Sequence, residues 1–161
     1  MGCQLMRLNI LNSKEVKKLK EMVIQNFGYF PENDYAYLKN EKKRIFLINK
    51  DLVRIDLEKL RIDKVGLYFA EVSETLRLSK EGASFLFKEA EKHNKELKNI
   101  IELDSRETNA YFAGVDLTKS LEIGNSLILL KYHNDILGCA RYKDGKILNF
   151  LPKIYRGEVI V

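Results

Sequence analysis

The sequence predicts an α+β protein, and three observations lead there. Apolar residues recur at helical spacing in two capped segments, 13–27 and 79–93. Short apolar runs bounded by polar residues recur at Tyr35–Lys39, Arg44–Ile48, Val65–Val72, Thr75–Leu78 and Ile100–Leu103. Two tight-turn dipeptides, Asn134-Asp135 and Asp144-Gly145, divide 126–151 into three further apolar runs.

Taken in order, Ser13 reads as the N-cap of a helix over Lys14–Phe27, with Gly28 as its stop and Val16, Leu19, Val23 and Phe27 on its apolar side. Its lysines, Lys14, Lys17, Lys18 and Lys20, form a solvated outer face. The strands Tyr35–Lys39 and Arg44–Ile48 flank a polar turn, Asn40–Lys43, and a short helical or irregular piece runs from Asn49 or Asp51 to Leu60. Ser79 caps a second helix to His93, with Ala83, Phe87 and Ala90 as its stripe and Leu86 as a further candidate for it. Ser105 opens a short helix towards Phe112.

The end of the chain is the most informative stretch. Asp-Gly between apolar runs is a strong hairpin signal, because a type I′ turn needs positive φ at both central residues. The expected product is an antiparallel meander of Ser126–Tyr132, Ile136–Tyr142 and Lys146–Leu151. With Asp144-Gly145 as the loop, Lys143 faces Lys146 and Arg141 faces Leu148, so Arg141, Lys143 and Lys146 share one face. Like charges opposite one another destabilise a sheet, so this cluster suits an anionic partner better than it suits folding. Lysines at hairpin ends also serve solubility and blunt edges, and that reading stands beside the first.

At 161 residues, 45% hydrophobic and 32% charged, the chain has the size of one large or two small globular domains. The net charge is +5, and Lys131–Arg156 holds six basic against two acidic residues. Such a balance favours a polyanion such as nucleic acid. Abundant Lys and Glu with only two glutamines, Gln4 and Gln25, follow the trend of hyperthermophile proteins. Cys3 and Cys139 make no disulfide framework, and no apolar run nears the ~20 residues of a membrane span. A cytoplasmic protein without membrane contact is the expectation.

Recognisable catalytic chemistry is missing. His93 and His133 are the only histidines and neither has metal-ligand spacing, so no metal is expected. No phosphate-cradling glycine loop and no Gly-x-Ser-x-Gly elbow occurs. Acidic pairs such as Asp51/Asp56 and Asp63/Glu71 read as solvated surface carboxylates.

The order Ala113-Gly114-Val115-Asp116-Leu117, then Leu121-Glu122-Ile123-Gly124-Asn125, then Ile136-Leu137-Gly138-Cys139-Ala140 resembles a PUA domain, with Asn125 where an Asp is usual. The tail from Lys146 through Asn149 and Pro152 to Arg156 resembles the end of the PUA-like domain of Sun/Fmu-type rRNA cytosine-5 methyltransferases. The front half resembles, in architecture, the pre-PUA domain of small archaeal and eukaryotic ribosome-biogenesis proteins and the corresponding region of those methyltransferases. The resemblance implies an N-terminal mixed α/β pre-PUA-like domain, 1–94, packed on a C-terminal PUA-like β-barrel, 95–161. Cys139 lies within the PUA-like meander and follows no proline, unlike the catalytic cysteine of those enzymes, which belongs to a separate cofactor-binding domain. The expectation is therefore a non-enzyme with no cofactor.

What the resemblance implies in function is RNA binding, to rRNA or tRNA, in rRNA maturation or ribosome assembly, or as a freestanding targeting module for an RNA-modifying enzyme. Partners are then RNA and an RNA-modifying enzyme or ribosome-assembly factor; a monomer is the default expectation, which the resemblance does not itself supply. The candidate contact residues are Arg141, Lys143, Lys146, Lys153 and Arg156 for phosphates, Tyr155 and Tyr142 for stacking, and the Gly114-Val115 loop, which PUA domains use. At Gly114 two readings stay open: close approach of a ligand backbone, or a turn and nothing more. The rival from another class is a protein-interaction adaptor with little RNA affinity, docking through an apolar patch around Leu67-Tyr68-Phe69.

Overall fold

A computed structural model describes residues 8–32, 35–51 and 66–150. The elements follow in the order β1 (Asn9–Ile10), α1 (Ser13–Phe27), β2 (Tyr35–Lys39), β3 (Arg44–Asn49), β4 (Leu67–Val72), β5 (Leu76–Leu78), α2 (Lys80–Lys92), β6 (Ile100–Glu102), α3 (Ser105–Phe112), β7 (Leu117–Thr118), β8 (Ser126–Tyr132), β9 (Asp135–Lys143) and β10 (Lys146–Leu148). They build two five-stranded sheets, in the orders β1-β2-β3-β4-β5 and β6-β8-β9-β10-β7. The α+β expectation holds, and the three-strand antiparallel meander forms, with changes at its first turn and last strand. Most of the segment expected to run from Asn49 or Asp51 to Leu60 lies outside the described residues, as do Cys3 and Val65.

Local chemistry sets the helix ends. The cap of α1 is Asn12 rather than Ser13: the Asn12 side-chain oxygen accepts the Glu15 N–H at 2.9 Å, and Ser13 is already helical. Gly28 stops the helix at φ 83°. Carbonyls left open at that end are met from the link that enters the second sheet. Lys98 N–H donates to Phe27 O at 2.9 Å, and the Asn99 amide donates to Asn26 O at 2.7 Å. The helix α3 begins with a capping box between Asp104 and Glu107.

One core joins the two sheets. Leu19, Val23 and Phe27 of α1, Phe69 and Ala70 of β4, and Ala83 and Leu86 of α2 pack together with Leu127, Leu129, Ile136 and Cys139 of the second sheet. Leu86 is central to the α2 stripe and Phe87 only partly buried. The opposite face of the second sheet carries its own cluster: Ile128, Leu130, Leu137, Ala140, Tyr142 and Ile147 beneath Tyr111 of α3. A register shift opposite Leu130/Lys131 leaves Leu137 as an extra residue, which explains how Ile136 shares a cluster with Cys139, and Leu137 with Ala140, across an odd spacing.

The first meander turn differs from expectation. Tyr132 pairs with Asp135, so the loop is His133-Asn134 instead of Asn134-Asp135. His133 takes the positive φ of 51°, and its ring meets Tyr132 edge-on at 4.2 Å. The second turn is as expected, with Asp144 at φ 51° and Gly145 at 79°. The last strand ends at Leu148 because the Asn149 N–H leaves the ladder for the Asp116 carboxylate, at 2.8 Å. Leu151 lies outside the described residues.

The start of α2 lies close against β4. Ser79 caps the helix by accepting the Gly82 N–H at 2.8 Å, and its hydroxyl faces the carbonyls of Tyr68 and Phe69. A Cβ on Gly82 would lie 2.0 Å from Phe69 O, a backbone atom. Gly82→Ala is therefore expected to lower stability by about 1–3 kcal/mol in urea unfolding, although alanine is the better helix former. A stabilised Gly82→Ala protein would show that the helix slides freely on the strand.

Candidate nucleic-acid interface

The β9–β10 hairpin brings three of the expected cations together. Lys143 pairs with Lys146 and Arg141 with Leu148, the register read from the Asp-Gly turn. Lys143 and Lys146 are exposed and Arg141 is half-buried. Period-two alternation puts them on the face that also carries Cys139, where the inter-sheet core runs out before the start of β8 at Ser126. The turn is pinned from below: Asp144 N–H donates to Asn125 Oδ1 at 3.1 Å, so Asn125 keeps the acceptor that an Asp would supply.

A fourth cation arrives from the first sheet. Arg77 of β5 lies with its guanidinium 4.4 Å from the centroid of the Phe150 ring and donates to Phe150 O at 3.0 Å. Its reach across the sheets is also felt at the Cys139 thiol, which burial pushes up to about 11. A hydrogen bond with the Leu78 backbone and the charges of Arg77 and Arg141 pull it the other way. A buried thiol so protonated is a poor nucleophile. Sequence reasoning missed Arg77, since nothing local to a short strand links it to a hairpin more than sixty residues later.

The Gly114-Val115 loop is built as a helix stop. Gly114 sits at φ 86°, its N–H donates to Tyr111 O at 3.0 Å, and the Val115 N–H donates to Ala110 O at 3.1 Å. These two bonds define a Schellman motif, which by itself accounts for the glycine. Val115 stands 52% exposed. The loop follows α3, which packs on the opposite face of the sheet from the cationic trio, and lies roughly 10 Å along β10 from Lys146 at the usual strand rise. The structure thus joins Arg141, Lys143 and Lys146 but sets Gly114 and Val115 apart from them. Lys153, Tyr155 and Arg156 lie outside the described residues.

Tyr142 is not a stacking platform. It is buried, and its hydroxyl accepts the Leu121 N–H at 3.0 Å. The Leu67-Tyr68-Phe69 stretch is not an open apolar patch either. Phe69 is core, while the Tyr68 ring lies 5.5 Å from Phe46 and 5.4 Å from the Arg44 guanidinium. Among the described residues no group of three or more His, Cys, Asp or Glu is placed to hold a metal ion. No described helix is long and apolar enough to cross a membrane.

A residue whose role only the fold reveals is Asn149. Its amide donates to Tyr111 O at 2.7 Å and Val115 O at 3.1 Å, while its backbone holds Asp116. One side chain thereby ties the end of β10 to the loop after α3.

Residues 98–156 match the family model of the Methyltransferase RsmF PUA domain. The chain is also similar to the Ribosomal RNA small subunit methyltransferase F of Aeromonas salmonicida (strain A449), 25% identical over 144 residues that cover 89% of this chain and 28% of the relative. The proteins of the same name from two Vibrio cholerae serotype O1 strains, M66-2 and ATCC 39315 / El Tor Inaba N16961, are 24% identical over 147 residues, 90% of this chain and 29% of theirs. The chain spans less than a third of the length of these curated relatives. Its C-terminal segment is a PUA module. More particularly, it is a PUA module of the Sun/Fmu methyltransferase type.

Two outcomes follow from the geometry. Asn149→Ala is expected to destabilise the fold by about 1–3 kcal/mol and to speed hydrogen exchange at the Gly114, Val115 and Asp116 amides. Unchanged exchange there would remove the tie. Cys139 is expected to resist iodoacetamide at pH 8 in the folded protein and to react once urea unfolds it. Prompt alkylation of Cys139 itself in the native chain, located by peptide mass so that Cys3 is counted apart, would contradict its burial.

Proposed function

We propose that this chain is a non-catalytic RNA-binding protein acting in rRNA maturation or ribosome assembly, or targeting an RNA-modifying enzyme to its RNA. The observation that carries the reading is the cationic trio Arg141, Lys143 and Lys146 on one face of a type I′ hairpin. Two facing lysines weaken the sheet that holds them, and phosphate neutralisation gives them a use. The family match over residues 98–156 supports an RNA-binding role, and relatives named as small-subunit rRNA methyltransferases favour rRNA as the ligand. Methyl transfer is not part of the proposal, because the matched region is under a third of those relatives.

In this reading residues 1–94 are the pre-PUA-like domain and 95–161 the domain that contacts RNA. Lys153 and Arg156 extend the phosphate contacts, Tyr155 supplies a stacking plane, and Gly114-Val115 forms a second contact along the path of β10. The alignment with the relatives covers 89% of this chain, which supports treating the front domain as part of the same unit. The protein acts in the cytoplasm as a monomer.

The test is affinity for labelled rRNA fragments across a salt series. Wild type is expected to weaken steeply with salt. The Arg141/Lys143/Lys146→Ala variant is expected to lose a slope of about 2 in log K against log salt, at ~0.7 per phosphate for single strands. Absence of RNA affinity at low salt would replace this reading with the protein-adaptor one.

A further inference from the structure

A cleft of about 460 Å³ opens where α2 meets α3 and the β8–β9 turn, away from the cationic hairpin. That volume lies within the usual range for small-ligand sites. Phe87 of α2, Phe112 at the end of α3 and Tyr132 at the end of β8 line it, three partly exposed aromatic rings from three separate elements. Lys131 Nζ stands 5.3 Å from the Phe87 ring centroid and adds a cation beside this wall.

The lining also holds an unsettled polar group. Thr108 is wholly buried, and its hydroxyl has no hydrogen-bond partner among the described residues. An unpaired hydroxyl in a packed interior is destabilising, and it marks the wall behind the cleft as imperfectly satisfied. Ser84 of α2 and Asn134 of the turn add hydrogen-bonding groups. At the rim Lys80 and Lys88 are exposed cations, and Glu91 and Asp135 are exposed carboxylates.

We propose that this cleft takes a single unstacked nucleobase carrying an exocyclic amino group, as a second contact of the bound RNA. The proposal rests on the RNA-binding reading above and adds a place where a base is read. The aromatic wall stacks the ring, a sequence-tolerant interaction available to any base. The Glu91 and Asp135 carboxylates accept from an amino edge, as acidic side chains do with the amino group of cytosine, and present nothing to the carbonyl at the same position of uracil. Lys80 and Lys88 take the flanking phosphates. No single charge sign dominates the rim, which suits a base with its backbone better than a free phosphate.

The test uses the full chain and two fluorescein-labelled RNA 12-mers, all-uridine and the same strand with one central cytidine. Wild type is expected to bind the cytidine strand roughly tenfold tighter. Ser84→Trp, which fills the cleft from the α2 wall, is expected to abolish that preference while keeping salt-sensitive binding of both strands. Glu91→Gln with Asp135→Asn replaces the two exposed carboxylates by amides of the same shape. It is expected to keep the thermal midpoint and to reduce the preference severalfold, which guards against a Ser84→Trp chain that does not fold. Equal affinity for both strands, or a preference unchanged in the Glu91→Gln/Asp135→Asn variant, overturns the base site while leaving the cationic interface in place. No binding of either strand by wild type at low salt overturns both.

Discussion

Strand β8 is the constraint on which the rest of the molecule depends, because it is buried on both faces. Leu127 and Leu129 enter the core shared with α1, α2 and the first sheet, while Ile128 and Leu130 enter the cluster under α3. A central strand of this kind has no face left to tolerate a slip, so its register is held from both sides. The bulge near its C-terminal end keeps Ile136 on the face of Cys139 and Leu137 on that of Ala140, so the neighbouring strand serves both clusters past the irregularity. Pairing with β6 on one side and β9 on the other leaves the hairpin beyond β9 to project its charges at the margin of the core.

The placement of the cations follows from that packing. Arg141 and Cys139 alternate on the same face, yet one carries a guanidinium and the other a protonated thiol within a dry core. The change from buried to solvated occurs where β8 begins at Ser126, opposite Tyr142. Beyond that point no described strand lies beside β9 on that side, and Lys143 and Lys146 are exposed. Arg77 reaches the same margin from the first sheet and holds Phe150 by ring and carbonyl together. The interface is thus composed at the seam between the two sheets and belongs to neither alone.

The loop after α3 shows how a recognisable motif can have a sufficient structural reason. Gly114 completes a Schellman stop, and the Asn149 side chain then holds the loop by two carbonyls. A loop so tied presents Val115 in one conformation, which reduces the ordering that a contact there would need. Preorganisation and the helix stop are both served by one backbone geometry.

What the sequence by itself determined is whatever depends on neighbours along the chain. The periodicities of α1 and α2, the Ser79 cap, the Asp144-Gly145 turn and the facing of Lys143 with Lys146 all follow from local dihedral preference and alternation. Even locally, competing choices one residue apart were settled by geometry, as with Asn12 over Ser13 and His133-Asn134 over Asn134-Asp135. Only the tertiary structure decided which face of each strand is dry. Tyr142 had the chemistry of a stacking platform, but its face is the one that α3 covers. Arg77, Asn149 and the cleft beside α2 gather groups from distant parts of the chain. Such proximity arises from packing between elements, for which a residue's immediate neighbours carry no signal.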